Sequence, residues 1–167
     1  MINYFYGNLF DLLDTRPQFM CGDELHFIIH GCNAQGRMGT GFAKELRERF
    51  PKAYEAYNDE YVKNNNRLEL GTMINHPVHG SLVICNAITQ QFYGYDGKKY
   101  VSYDAIDSVF TELNNTAKTV LGLKLVDSVH LHFPKMGAGL AGGNWEVIER
   151  IIDSRVTYAT KNLYELN

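Results

Sequence analysis

Two runs of this chain are apolar at consecutive positions: LHFIIH at 25–30 and LVICNAI at 82–88. A strand with one wet face alternates apolar and polar residues, because successive side chains point to opposite sides. A strand apolar throughout must be covered on both faces, which happens in mostly parallel sheets with helices packed above and below. VHLHF at 129–133 reads as a further strand of this kind. The expected fold class is therefore α/β.

The segments between these runs carry helical spacing. From residue 41, Phe42, Ala43, Leu46 and Phe50 fall on one side and charged residues on the other, and Pro51 opens a second helical piece that ends at Asn64-Asn65-Asn66. Ser102 is placed to cap a helix carrying Ile106, Val109, Phe110, Leu113 and Ala117, with Asp104 complementing its positive end. Asn144 is placed to cap another, with Trp145, Ile148, Ile151 and Ile152 as its apolar stripe. Strands are also expected at 2–6, 71–75 and 156–159, and His76 and His79 are expected in a turn around Pro77. No repeat, low-complexity tract or linker divides the 167 residues, so one domain is expected.

In such sheets ligands sit beyond the carboxyl ends of the strands. Two glycine-rich segments fall there, 31–41 after one apolar strand and 134–144 after another, each feeding a helix. Glycine lets main-chain N–H groups approach a ligand, and a helix amino end adds unpaired donors and partial positive charge, a combination suited to phosphate. Neither segment fits GxxxxGK[ST] or GxGxxG.

A formal charge of −3 argues against a general nucleic-acid binder, which needs a basic excess. Cys21, Cys32 and Cys85 are odd in number and widely spaced, which indicates neither a disulfide framework nor a zinc site and suits a reducing, cytoplasmic setting. His130 and His132 share one strand face, but no third metal ligand is evident, and no metal is expected. No signal peptide or long apolar span is apparent, so no membrane attachment is expected.

GNLF at 7–10, HGCNAQGRMGTGFAKELRERFP at 30–51, NAITQ at 86–90, YDAI at 103–106 and FPKMGAGLAGGNW at 133–145 together resemble a macrodomain, an ADP-ribose-binding module. They are most similar to the branch that includes yeast-type ADP-ribose 1″-phosphate phosphatases and the ADP-ribosyl hydrolases with a similar first loop. The resemblance implies a three-layer α/β/α fold around a mixed, mostly parallel six-stranded sheet, with no metal and no organic cofactor. It implies that Asn8 and Leu9 lie at the adenine, Asn8 standing where the family usually has Asp. It implies that Asn33 bonds the distal ribose, that Met38, Gly39, Thr40 and Gly41 line that ribose and a phosphate, and that Thr89 and Gln90 border it; Arg37, inside the same loop, is either solvated or meets a 1″-phosphate. It implies that Met136, Gly137, Ala138, Gly139 and Leu140 wrap the diphosphate.

Where lysine-dependent members of the family carry their lysine, this chain reads Ile88-Thr89-Gln90-Gln91, and Ala141 stands where some carry an acid. A glutamine cannot form a Schiff base. His30 matches the histidine of the phosphatase branch, and an imidazole titrating near neutrality suits a general base or a nucleophile; packing against the loop is its alternative role. Asp104 is either a helix cap or a second catalytic group. Lys98 and Lys99 are either solvated or closed over a phosphate, and Tyr93 and Tyr95 either stack on a ligand or serve contacts. The expected function is hydrolysis of ADP-ribose 1″-phosphate to ADP-ribose. The alternatives are a non-catalytic ADP-ribose binder and an ADP-ribosyl hydrolase without a catalytic lysine.

Overall fold

The structure is a computed structural model and describes residues 1–15 and 22–165. Its elements are β1 (Asn3–Tyr6), α1 (Leu9–Thr15), β2 (Glu24–Asn33), α2 (Gly41–Arg49), α3 (Pro51–Lys63), β3 (Met73–His79), β4 (Leu82–Gln90), α4 (Tyr103–Gly122), β5 (Ser128–Phe133), α5 (Trp145–Arg155) and β6 (Thr160–Glu165). The six strands form one sheet in the order β1-β6-β5-β2-β4-β3. All neighbours are parallel except β3, which runs antiparallel to β4 at the edge.

The doubly apolar runs occupy the middle of this sheet, as their composition demands. Ile29, Cys85, Leu131 and Phe133 meet Ile106, Val109, Phe110, Ile148 and Ile152 of α4 and α5 on one face. On the other, Ile28 and Ile84 meet Leu9, Phe10 and Leu46 of α1 and α2, and Cys32 and Ile88 meet Tyr57 of α3. Three layers follow from strands that bury both sides. Both expected caps form: Ser102 accepts from the Ala105 N–H and Asn144 from the Glu146 N–H. Among the described residues no helix is long and apolar enough to cross a membrane.

Three expectations are corrected. The last strand lies at β6, not at 156–159: Val156 closes α5, and the buried strand positions after it include Lys161 and Asn162, which break the apolar signature. Lys161 is tolerated there because its ammonium donates to Asp153 Oδ1 at 2.7 Å and to the Val156 carbonyl at 3.0 Å. The strand expected at 71–75 is β3, which continues through Pro77 with a register shift before His79. Proline is allowed on an edge strand, where its missing N–H interrupts no inner ladder, so His76 and His79 lie in a strand and not a turn. The seven-residue α1 has too few turns to show a period. Cys21 lies outside the described residues, while Cys32 and Cys85 are buried free thiols.

Candidate functional site

The carboxyl ends of β1, β6, β5, β2 and β4 open onto a cleft with two hollows. The first, of about 290 Å³, is bordered by Asn33, Arg37, Met38, Gly39, Thr40, Gln90 and Leu140 of the expected site, together with Cys32, Tyr93, Tyr95 and Ala141. The second, of about 460 Å³, is bordered by Asn8, Leu9 and Gly41 of the expected site, together with Phe42, Glu45, Lys135 and Tyr164. Gly41 and Thr40 are adjacent, so the amino end of α2 separates the two hollows.

That amino end is open. Thr40 makes no side-chain cap bond, so the first N–H groups of α2 keep their donors and the partial positive charge of the helix end. Facing the first hollow from the other side is the 136–143 turn. The Gly142 N–H donates to the Gly139 carbonyl at 3.0 Å and the Gly143 N–H to the Gly137 carbonyl at 2.7 Å, curling the chain on itself. Among the described residues, the N–H groups of Gly137, Gly139, Leu140 and Ala141 make no hydrogen bond. Such a run of unspent amides is an anion-binding concavity.

Two glycines make the turn feasible. Gly137 has φ +77°, and a Cβ there would lie 2.7 Å from Val101 Cγ2; Gly142 has φ +71°, and its Cβ would lie 2.4 Å from the Lys98 carbonyl oxygen. The Ala141 carbonyl accepts from the N–H groups of Tyr100 at 2.6 Å and Val101 at 3.1 Å. The turn is thereby docked on the 91–101 segment that carries Tyr93 and Tyr95 to the hollow.

Asn33 is committed to the first loop. Its Oδ1 accepts from the Gln35 N–H at 3.0 Å and the Tyr57 hydroxyl at 3.1 Å, and its Nδ2 donates to the Arg37 carbonyl at 2.8 Å. Tyr57 also donates to the Asn33 carbonyl at 2.5 Å. At the second hollow, Asn8 Oδ1 accepts from the Phe10 N–H while its Nδ2 donates to Glu45 Oε1 at 2.9 Å. Glu45 therefore places a carboxylate beside Asn8. Its signal in the sequence is its spacing of four from Gly41, which puts both on one side of α2.

Other expected residues lie behind the walls. Met136 is buried in the core under α4 and α5. Gly137 packs on Val101 and Ile148, and Thr89 Oγ1 is buried directly behind Gly31, 2.7 Å from where a Cβ on that glycine would stand. Gly137, Ala138, Gly139 and Thr89 border neither hollow. Lys98 pairs with Asp96 at 3.7 Å, Lys99 lies over the Tyr103 ring, and Asp104 stands in the first turn of α4.

The structure does not bring His30 into the cleft. It borders neither hollow, is 2% exposed, and its ring packs against Phe42. Asn86 Nδ2 donates to the Ala53 carbonyl at 3.1 Å, so its Oδ1, 2.7 Å from His30 Nε2, accepts the imidazole hydrogen. Burial pushes the His30 pKa down to about 4 against the opposing pull of the Asn86 bond, so the ring is neutral at pH 7. Burial pushes the neighbouring Cys32 thiol well up. Neither a charged imidazole nor a thiolate is at hand, and the arrangement reads as a neutral hydrogen-bonded wedge beneath α2.

The family model of the Macro domain matches residues 29–152. An uncharacterised 17.5 kDa protein of Enterobacteria phage T4 is 31% identical over 136 residues, 80% of each chain. An ADP-ribose 1″-phosphate phosphatase of Candida albicans is 27% identical over 153 residues, 89% of this chain and 90% of that one. The solved structure of a macrodomain protein from Streptomyces coelicolor superposes with a TM-score of 0.73 at 26% identity, covering 99% of both chains. The family match spans most of the 167 residues, and the chain belongs to the Macro domain family.

Proposed function

We propose that the chain binds ADP-ribose across the two hollows and hydrolyses the phosphate of ADP-ribose 1″-phosphate. The observation that carries this is the pair of unspent amides at Leu140 and Ala141, in the part of the turn that borders the first hollow, across from the open amino end of α2. A diphosphate held between them is neutralised by main-chain dipoles in place of lysines. The second hollow suits adenine, whose amine donates to the Glu45 carboxylate or to the second lone pair of Asn8 Oδ1. Arg37, the one cation bordering the first hollow among the described residues, is placed for a terminal phosphate. The name of the Candida albicans relative supports the same activity.

Among the described residues, the first hollow has no carboxylate or imidazole in its wall. That lining suits a reaction that needs no strong base. The C1″–O bond breaks with its electron pair leaving on phosphate, and the ring oxygen stabilises the charge at C1″. Water then adds to that carbon and gives its proton to the departing phosphate. His30 supports the loop and does not touch the reacting atoms. Phosphate release in ¹⁸O-labelled water tests this: unlabelled phosphate is expected, and labelled phosphate shows attack at phosphorus and overturns the route.

The same lining favours a second reading, a binder without turnover. Calorimetry with ADP-ribose alongside phosphate release separates the two: binding without release selects the binder, and no binding overturns both.

A further inference from the structure

Away from the cleft, near the amino ends of β2 and β5, the sheet carries a cluster that ADP-ribose binding does not use. His26 of β2 is in register with His130 of β5, and Glu24 lies two residues before His26 on the same strand face. One donor atom from each of Glu24, His26 and His130 lies within 4.8 Å of the others. We propose that Glu24, His26 and His130 form a binding site for a divalent transition-metal ion of the zinc class.

The donor set is selective. Two imidazoles and a carboxylate match zinc and its neighbours, whereas calcium and magnesium take oxygen cages. Donors about 2.0–2.2 Å from a tetrahedral ion stand roughly 3.4 Å apart, within the reach of this cluster. Glu24 Oε2 is already 2.8 Å from His26 Nε2, so an ion entering here replaces the proton they share and releases it.

The supporting shell is the second observation. Metal-bound histidines are held by their other ring nitrogen. His26 Nδ1 is 2.9 Å from His132 Nε2, and His132 Nδ1 is 2.8 Å from the Tyr164 hydroxyl, a relay that orients His26 from behind. Ser128 Oγ holds His130 Nε2 at 2.8 Å in the metal-free arrangement only. The His26 and His130 rings are stacked, with centroids 4.7 Å apart and planes 14° apart. Convergence on one ion takes a turn of His130, the less buried ring. His26 is buried while Glu24 and His130 are partly exposed, which leaves an entry path and a coordination place for water.

The test uses the whole chain stripped of metal with chelator and titrated with Co²⁺, then Zn²⁺. One Co²⁺ per chain is expected, with the visible bands of a four-coordinate nitrogen and oxygen site, displaced by Zn²⁺. His130→Gln, which removes a ligand, should weaken binding by at least about a hundredfold, and Tyr164→Phe by about tenfold, within the range seen when outer partners of a metal site are lost. The metal-free melting temperature and the ADP-ribose affinity of His130→Gln should match those of the parent, which separates this site from the cleft. Absence of stoichiometric binding at micromolar metal overturns the proposal. So does a near-ultraviolet thiolate band, or binding indifferent to His130→Gln; the cluster is then a hydrogen-bonded polar plug.

Discussion

Gly39 borders the first hollow while Gly137 packs behind the facing turn, and the structure assigns them opposite sensitivities. A Cβ on Gly39 meets nothing within 4 Å, and its φ lies outside the left-handed region. The first atom of a side chain in Gly39→Val therefore meets no clash, and the stiffer unfolded chain offsets part of any cost, so stability should stay near that of the parent. The new side chain stands at the wall of a hollow of only about 290 Å³. ADP-ribose affinity should fall at least about tenfold, equivalent to about 1.4 kcal/mol. Gly137→Ala meets the reverse conditions. Its φ of +77° costs about 1–2 kcal/mol for an L-residue. Contacts of 2.7 Å to Val101 and 3.1 Å to Ile148 add about 1–3 kcal/mol of overpacking. Together they predict a loss of about 2–5 kcal/mol and a melting temperature lower by roughly 4–20 °C. Thermal melts read the first quantity and calorimetry with ADP-ribose the second. A Gly39→Val protein that binds as tightly as the parent, or melts as low as Gly137→Ala, refutes the assignment of the 31–41 loop to the ligand.

His30 gives a pH prediction with a defined sign. Its folded pKa, about 4, lies below the ordinary 6.5, so on acidification the unfolded chain takes up the proton first and stability is lost between about pH 6.5 and 4. The share of this one ring is on the order of 3 kcal/mol, and urea midpoints at pH 7 and 4.5 should differ less in His30→Gln than in the parent. Tyr57→Phe removes the hydroxyl that donates to Asn33 at two atoms. It should cost about 1–3 kcal/mol in urea unfolding and speed hydrogen exchange at the Gln35 N–H. Arg37→Ala should weaken ADP-ribose 1″-phosphate by about tenfold while leaving ADP-ribose within about twofold, measured by competition calorimetry, since a charge-assisted bond is lost only with the terminal phosphate.

Much of the molecule is legible in local pattern. LHFIIH and LVICNAI announce strands covered on both sides, and the caps at Ser102 and Asn144 sit where the helical spacing begins. The two glycine segments mark where strands give way to helices, and Gly39, Thr40, Gln90 and Leu140 border the first hollow. Less legible is what depends on partners distant in the chain. The β6 strand is hidden because Lys161 reads as surface until Asp153 and the Val156 carbonyl receive it. Glu45 reads as one charge among several on α2 until Asn8, thirty-seven residues earlier, turns its amide onto it.

His30 shows the division most clearly. Its place at the end of an apolar strand, beside a glycine loop, is a local property, and from that alone an imidazole facing the ligand is a sound expectation. Which side of the sheet it faces, and whether an acceptor waits there, depends on β4 and α3 lying alongside: Asn86 takes its hydrogen, and Ala53 fixes which way Asn86 points. Residue order determined the layered fold and the loops at the strand ends, because burial and backbone freedom act on neighbours along the chain. The tertiary structure decided which side chains meet, because hydrogen bonding and desolvation act between segments that only folding brings within about 3 Å.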